Sequence, residues 1–237
     1  MTNIIKATGN ALGIALPPPA VRLMADYADA VICANKTMNL TRITDPAEMA
    51  ALHFIDSLAL LKYIDANGKR IIDVGTGAGF PGVPLAIVCE DSPVTLIDST
   101  AKKIAFVRSA LAGIYGGVIP DRIRVESGRA EELARRAEYD GMYDIAVARA
   151  VAGLPVLCEI AARFLRIGGT FVAYKSRADD EIDEAKSIIN TLGLVIARIE
   201  KFTLTGGEER KLIFIEKIKA THDKFPRKYA EIKKGTK

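Results

Sequence analysis

A chain of 237 residues with a net charge of +4, 49% hydrophobic and 26% charged, is long enough to bury a sizeable core, as one domain or as a domain with an extension. It holds no run of eighteen apolar residues, which excludes a membrane-spanning helix, and its start, M-T-N-I-I-K-A-T-G-N, lacks the basic and apolar regions of a secretory signal. Cys33, Cys89 and Cys158 are odd in number and far apart; that usage fits free thiols of a reducing cytosol, with neither disulfide nor zinc spacing, so a cytoplasmic protein without a metal site is expected.

In chain order, Pro17-Pro18-Pro19 should stop any helix before them and lead into the next. Residues 20–33 carry apolar side chains at helical spacing, and Asn35 and Asn39 bracket a break. Asp45 as cap, Pro46 at the first helical position and Glu48 at the third start a helix that should run to about Ile64. Leu52, Ile55, Leu58, Leu60 and Leu61 are its expected buried side. His53 and Asp56, three apart on that helix, are placed to meet. A catalytic pair and a local or surface contact are both open, the second preferred because no third group is identifiable.

After Asn67-Gly68 the pattern changes to strand–helix alternation. Strands are expected at 71–74, 94–97, 123–125, 144–147, 170–174, 195–202 and 211–217, the fifth fed by a tight turn at Gly168-Gly169. Helices are expected at 82–89, 101–114, 130–137, 154–165 and 179–192. This alternation implies an α/β fold: a mostly parallel seven-stranded sheet with helices on both faces. The organisation expected is a helical N-terminal extension over 1–69, the α/β domain over 70–218 and a basic tail over 219–237. From Lys217 to Lys237 eight Lys and Arg residues face only Asp223 and Glu231, a local charge of +6 that leaves about −2 on the rest. Such a tail suits an anionic partner such as nucleic acid, or is a solvated terminus.

The most informative stretch is I-I-D-V-G-T-G-A-G-F-P-G, from Ile71 to Gly82. A buried strand, a glycine turn and a following helix form a nucleotide-cofactor cradle in a βαβ unit. Gly77-x-Gly79-x-x-Gly82 satisfies the dinucleotide fingerprint, and Asp98 lies nineteen residues after Gly79, where a ribose-binding acid is expected. Asp73 argues instead for S-adenosylmethionine. A carboxylate at the strand end would repel a pyrophosphate and attract the ammonium of a methionine moiety. Asp73, Gly75, Gly77, Gly79 and Asp98 are thus candidate cofactor residues, Phe80 a candidate cover for the cofactor's apolar part, and Arg149 a cation at the end of the fourth strand that faces the site, where a salt bridge is the plainer role.

D-I-A-V-A-R-A stands at the fourth strand, where exocyclic amine methylation would show N/D-P-P-Y/F, and no obvious cysteine nucleophile serves C5-pyrimidine chemistry. An acceptor with a free lone pair, such as guanine N7, needs no general base, so no catalytic side chain is named; alignment would supply most of the catalysis. Three rivals stay open on the residues alone: an NAD(P)-dependent oxidoreductase, a small-molecule methyltransferase and a non-catalytic RNA-binding module.

N-K-T-M-N-L-T-R-I-T-D-P-A-E-M, H-F-I-D-S-L-A-L, D-V-G-T-G-A-G-F-P-G-V-P-L-A-I, L-I-D-S-T-A-K-K and A-V-A-R-A together resemble the bacterial small-subunit rRNA methyltransferase G family, also called glucose-inhibited division protein B. The resemblance covers most of the chain. It implies a Rossmann-like methyltransferase fold, S-adenosylmethionine as cofactor, and methylation of N7 of a guanine near the decoding site of 16S rRNA. It implies cofactor contacts at Gly75, Phe80, Ala130, Glu131 and Arg149, and an RNA contact for Lys224, Arg227 and Lys228 in H-D-K-F-P-R-K. The chain departs from the family's pattern in the spacer A-R-R-A-E-Y-D-G-M-Y-D and in its proline-rich start.

Overall fold

The computed structural model describes residues 1–176 and 178–234, so the last three residues of the expected basic tail lie outside the described residues. Seven strands form one sheet: β1 (Ile71–Val74), β2 (Val94–Asp98), β3 (Ile123–Ser127), β4 (Tyr143–Arg149), β5 (Leu165–Lys175), β6 (Leu194–Thr203) and β7 (Glu209–Lys217). Their order is β3-β2-β1-β4-β5-β7-β6. The first five strands are parallel, whereas β7 runs antiparallel to both of its neighbours. The order reverses between β1 and β4, which opens a crevice at their carboxyl ends, the usual ligand position in open α/β sheets.

Every residue of β1 is buried, so both of its faces need cover. One apolar cluster joins Ile71 and Leu96 of the sheet to Ile5 of α1 (Thr2–Ala11), Met24 of α2 (Pro18–Met38), Val83 of α5 (Gly82–Val88) and Val107 of α6 (Ala101–Ile114). The other joins Ile72 and Phe171 to Leu133 of α7 (Ala130–Leu133), Leu157 of α8 (Leu154–Ala162), Ile189 of α9 (Asp179–Thr191) and Ile232 of α10 (Tyr229–Lys234). The N-terminal helices therefore share one continuous core with the sheet.

Three local features shape the N-terminal region. A helix, α1, lies before the prolines and ends at Ala11, in keeping with the expected stop. Its end turns back so closely that a Cβ at Gly9 would stand 2.9 Å from the carbonyl of Ile14. Helix α2 runs through Asn35 and stops only at Asn39, whose φ of 50° ends it. Asn35 reaches out of that helix to Thr41, Nδ2 donating to its carbonyl and Oδ1 accepting from its N–H, each at 2.9 Å. The third feature follows the expected cap, where Asp45 Oδ1 accepts from Ala47 N at 2.8 Å and Glu48 N at 3.0 Å. Helix α3 (Pro46–Met49) passes into a π-helical stretch (Ala50–Ile55), then α4 (Asp56–Leu58) and a 3-10 turn (Ala59–Lys62). The wider π turn shifts the buried face: Phe54, Ile55 and Leu58 are buried while Leu52 is half-buried.

Further along, α8 ends at Ala162 and β5 begins at Leu165, before the expected start. Tyr143 pairs with Leu165 and Ile145 with Thr170, so the glycines Gly168 and Gly169 form an irregularity within the strand pairing.

Candidate functional site

A cavity of about 460 Å³ crosses the carboxyl ends of β1, β2 and β4. Gly75, Gly77, Phe80, Asp98, Ala130, Glu131 and Arg149 all line it. The turn is built for close approach: Gly75 and Gly77 have φ of 78° and 59°, and a Cβ at Gly75 would stand 2.6 Å from Val151 Cγ2. Only glycine takes that conformation and that space without strain.

Asp98 is fixed from two sides, Oδ2 accepting from Gly77 N at 3.0 Å and Oδ1 from Thr100 N at 2.8 Å. Each carboxylate oxygen has further acceptor capacity, so Asp98 can still take hydroxyl donors from a ligand. A glycine-walled cavity lined also by Asp98, Glu131 and Phe80 suits a nucleoside bearing a polar, amino-acid-like arm. The donor set therefore fits S-adenosylmethionine.

Asp73 and Gly79 are placed elsewhere. Asp73 is fully buried beneath the turn, and its Oδ2 accepts from Gly82 N at 2.8 Å, which caps α5. Burial raises its pKa to about 7; the side chain braces the turn from below and is not among the residues that line the cavity. Gly79 faces away from the cavity, toward α2, where the buried Tyr27 donates its hydroxyl to the carbonyl of Ala78 at 2.9 Å.

His53 and Asp56 make no catalytic pair with each other; both point at Arg149, His53 from the π-helical stretch and Asp56 from the start of α4. Arg149 Nη1 donates to Asp56 Oδ2 at 2.9 Å and to the carbonyl of Leu52 at 2.7 Å. Its Nη2 lies 3.2 Å from His53 Nδ1. Burial, and then the charge of Arg149, lowers the His53 pKa to about 3. The ring is neutral at physiological pH, so Nδ1 accepts from Arg149 and the Nε2–H donates to Thr41 Oγ1 at 2.8 Å. His53 stacks on Phe80 with ring centroids 4.5 Å apart and 11° between planes, and the Arg149 guanidinium lies 5.5 Å from the same ring. One chain of contacts thus runs from Asn35 through Thr41 and His53 to Arg149 and Asp56, tying the N-terminal loop to the end of β4. His53, Thr41, Lys103 and Arg129 line the cavity without having been singled out for it. Among the described residues no group of three or more His, Cys, Asp or Glu side chains is placed to hold a metal, and no helix is long and apolar enough to cross a membrane.

The C-terminal segment is strapped to the body. Arg135 donates to the carbonyls of Asp223 and Lys224 at 3.1 Å and of Pro226 at 2.8 Å. Arg227 makes side-chain bonds of 2.9, 3.2 and 2.6 Å to the carboxylate of Glu159, which is 1% exposed. The expected basic trio therefore separates: Lys224 and Lys228 are exposed, while Arg227 neutralises a buried acid. Past the strap, Tyr229 joins the cavity wall.

Residues 20–213 match the family described as rRNA small subunit methyltransferase G. The chain is 39% identical to the ribosomal RNA small subunit methyltransferase G of Desulfitobacterium hafniense over 225 residues, covering 94% of this chain and 92% of that one. It is 41% identical to the Deinococcus radiodurans protein of the same name over 198 residues, 82% of this chain and 76% of that one. Among solved structures, a SAM-dependent methyltransferase from Aquifex aeolicus superposes with a TM-score of 0.54 at 16% identity, covering 73% of this chain and 94% of that one. TrmN from Thermus thermophilus gives 0.53 at 24% identity, with 68% of this chain and 48% of that one covered. These two likenesses show the methyltransferase fold.

Proposed function

The chain belongs to the rRNA small subunit methyltransferase G family, and from that premise we propose that it transfers a methyl group from S-adenosylmethionine to N7 of a guanine in 16S rRNA near the decoding site, acting on the RNA or the small subunit in the cytoplasm. The observation that supports this most directly is the cavity itself. The glycine turn, the Asp98 carboxylate and Arg149 meet at the sheet's switch point, inside the matched residues. The family match favours the methyl donor over the dinucleotide that the glycine spacing also allows.

When bound, the cofactor supplies a methyl group on a positively charged sulfur. The chain's own task is to hold and align. Asp98 would accept from the ribose hydroxyls, Gly75 and Gly77 would let the backbone approach, Phe80 would cover an apolar part, and Ala130, Glu131 and Arg149 would close the remaining wall. Guanine N7 carries an in-plane lone pair, so positioning the acceptor does the work that a general base does elsewhere. The direct test is methyl transfer from labelled S-adenosylmethionine to small subunits from cells lacking this gene. Label at one guanine, located by N7-sensitive strand cleavage, is the expected result; unlabelled RNA would move the acceptor elsewhere.

Asp98→Ala should weaken S-adenosylmethionine binding about tenfold, by losing hydrogen bonds each worth about 0.5–1.5 kcal/mol. Calorimetric titration checks this, and unchanged affinity removes Asp98 from the site. In the C-terminal strap, replacing Lys224 and Lys228 together should lower the log–log salt slope of RNA binding by about 1–2. Arg227→Ala should leave that slope unchanged and cost about 1–3 kcal/mol of stability, because it removes the cation and the side-chain bonds from buried Glu159 and leaves it the backbone N–H of residue 227. A slope that responds only to Arg227 would reverse these assignments.

A further inference from the structure

Beside the cofactor cavity lies a second, of about 480 Å³, and His53, Arg149 and Ala150 form a wall common to both. Ile43 and Tyr174 give the second cavity apolar surface, and Asp56 and Arg210 give it charge. Asp56 is 2% exposed. One of its oxygens, Oδ2, accepts from Arg149, but the other, Oδ1, is buried without a hydrogen-bond partner among the described residues. Arg210 Nε stands 3.6 Å from Oδ1, beyond hydrogen-bond reach, and Arg210 Nη1 donates instead to the carbonyl of Glu209. Lys175 is also engaged, its Nζ donating to the carbonyl of Ala152 and to Glu181. The carboxylate has cations beside it and lines the cavity, and yet one of its buried oxygens lacks a donor among the described residues. Buried acceptors left open in this way are uncommon and ask for a donor.

Resting on the guanine reading above, we propose that the second cavity receives the acceptor base and that Asp56 is its specificity-determining residue, Oδ1 accepting from the N1–H and N2–H edge. Among the RNA bases only guanine presents an imino N–H and an exocyclic amine side by side, the pair that a carboxylate recognises. Adenine presents an acceptor at N1, which meets the carboxylate with opposing lone pairs. N7 lies across the purine from the N2 amine, so a base held by its N1–N2 edge keeps N7 free to face the cofactor cavity. Ala150 supports a functional role for the common wall: its φ of 55° is unusual for a residue with a side chain, and such strain concentrates at ligand sites.

The test titrates guanosine, inosine and adenosine 5′-monophosphates onto the full chain saturated with S-adenosylhomocysteine, followed by NMR chemical shifts. Guanosine monophosphate should bind about tenfold or more tightly than adenosine monophosphate, with inosine monophosphate, which lacks the N2 amine, between them. Asp56→Asn, which keeps one acceptor for Arg149, should reduce guanosine monophosphate to the adenosine level. Ile43→Trp fills the second cavity without lining the first; it should abolish nucleotide binding and retain S-adenosylhomocysteine. Equal affinity for guanosine and adenosine monophosphates, no guanosine monophosphate binding, or binding untouched by Ile43→Trp would overturn the base pocket. Failure of S-adenosylhomocysteine to bind would instead overturn the cofactor reading, and the Ile43→Trp comparison would still decide the second cavity. Should Asp56→Asn not fold, the wild-type preference and Ile43→Trp carry the decision.

Discussion

Gly79→Ala is expected to destabilise the protein by about 2–5 kcal/mol, a large part of the 5–15 kcal/mol that holds an ordinary domain together. Two costs add. Gly79 has a φ of 92°, a conformation that costs an L-residue about 1–2 kcal/mol. A Cβ there would also overlap the Tyr27 hydroxyl and stand 2.7 Å from Val83 Cγ2, an overpacking that typically costs about 1–3 kcal/mol. Tyr27 cannot swing aside, because it is fully buried and its hydroxyl is held by the carbonyl of Ala78. Urea unfolding measures the loss. Combining Gly79→Ala with Tyr27→Phe removes the overlapping hydroxyl, so the double variant should be less destabilised than the sum of the singles. Strict additivity would show that the contact with Tyr27 is not what makes glycine necessary.

Arg149→Met is expected to lose methyl transfer altogether and about 3–5 kcal/mol of stability. The side chains of Arg149 and Asp56 are 14% and 3% exposed. Removing the cation leaves a buried carboxylate that Arg210, 3.6 Å away, only partly compensates. Replacing both partners, Arg149→Met with Asp56→Leu, should recover most of the stability, since an apolar pair carries no desolvation penalty. Activity should not return, because Arg149 lines both cavities. A single variant as stable as the parent would mean that this ion pair contributes nothing to the fold, and an active double variant would mean that neither residue serves the site.

Some of this was legible before any coordinates and some was not, for reasons that differ residue by residue. The helix at 101–114 and the strand at 71–74 match their expected limits, because apolar periodicity and glycine punctuation act over a few residues. Gly75, Gly77 and Asp98 lie at the cavity because a strand–turn–helix unit places them there wherever it occurs. Asp73 was expected at the ligand's ammonium, but pleat and helix packing turn its side chain down to Gly82 N. Asn35 looked like a break, yet its side chain leaves a continuing helix to hold Thr41. Arg227 looked free for RNA until α8 brought Glu159 to it across 68 residues of sequence. His53 looked like a local partner of Asp56, but a π-helical stretch that no residue pattern announced ends between them, and both meet Arg149 instead.

By itself the sequence determined the α/β alternation, the glycine cradle, the strand-end acid at Asp98 and, through its motifs, the family. Each of these depends on neighbours a few positions away, where backbone freedom and side-chain period dominate. Only the tertiary structure decided how the charges are paired: Arg227 on Glu159, Arg149 between His53 and Asp56, and one buried oxygen of Asp56 left without a hydrogen-bond donor among the described residues. The cost of burying a charge depends on what the whole fold packs around it, and that is fixed by contacts between segments far apart in the chain.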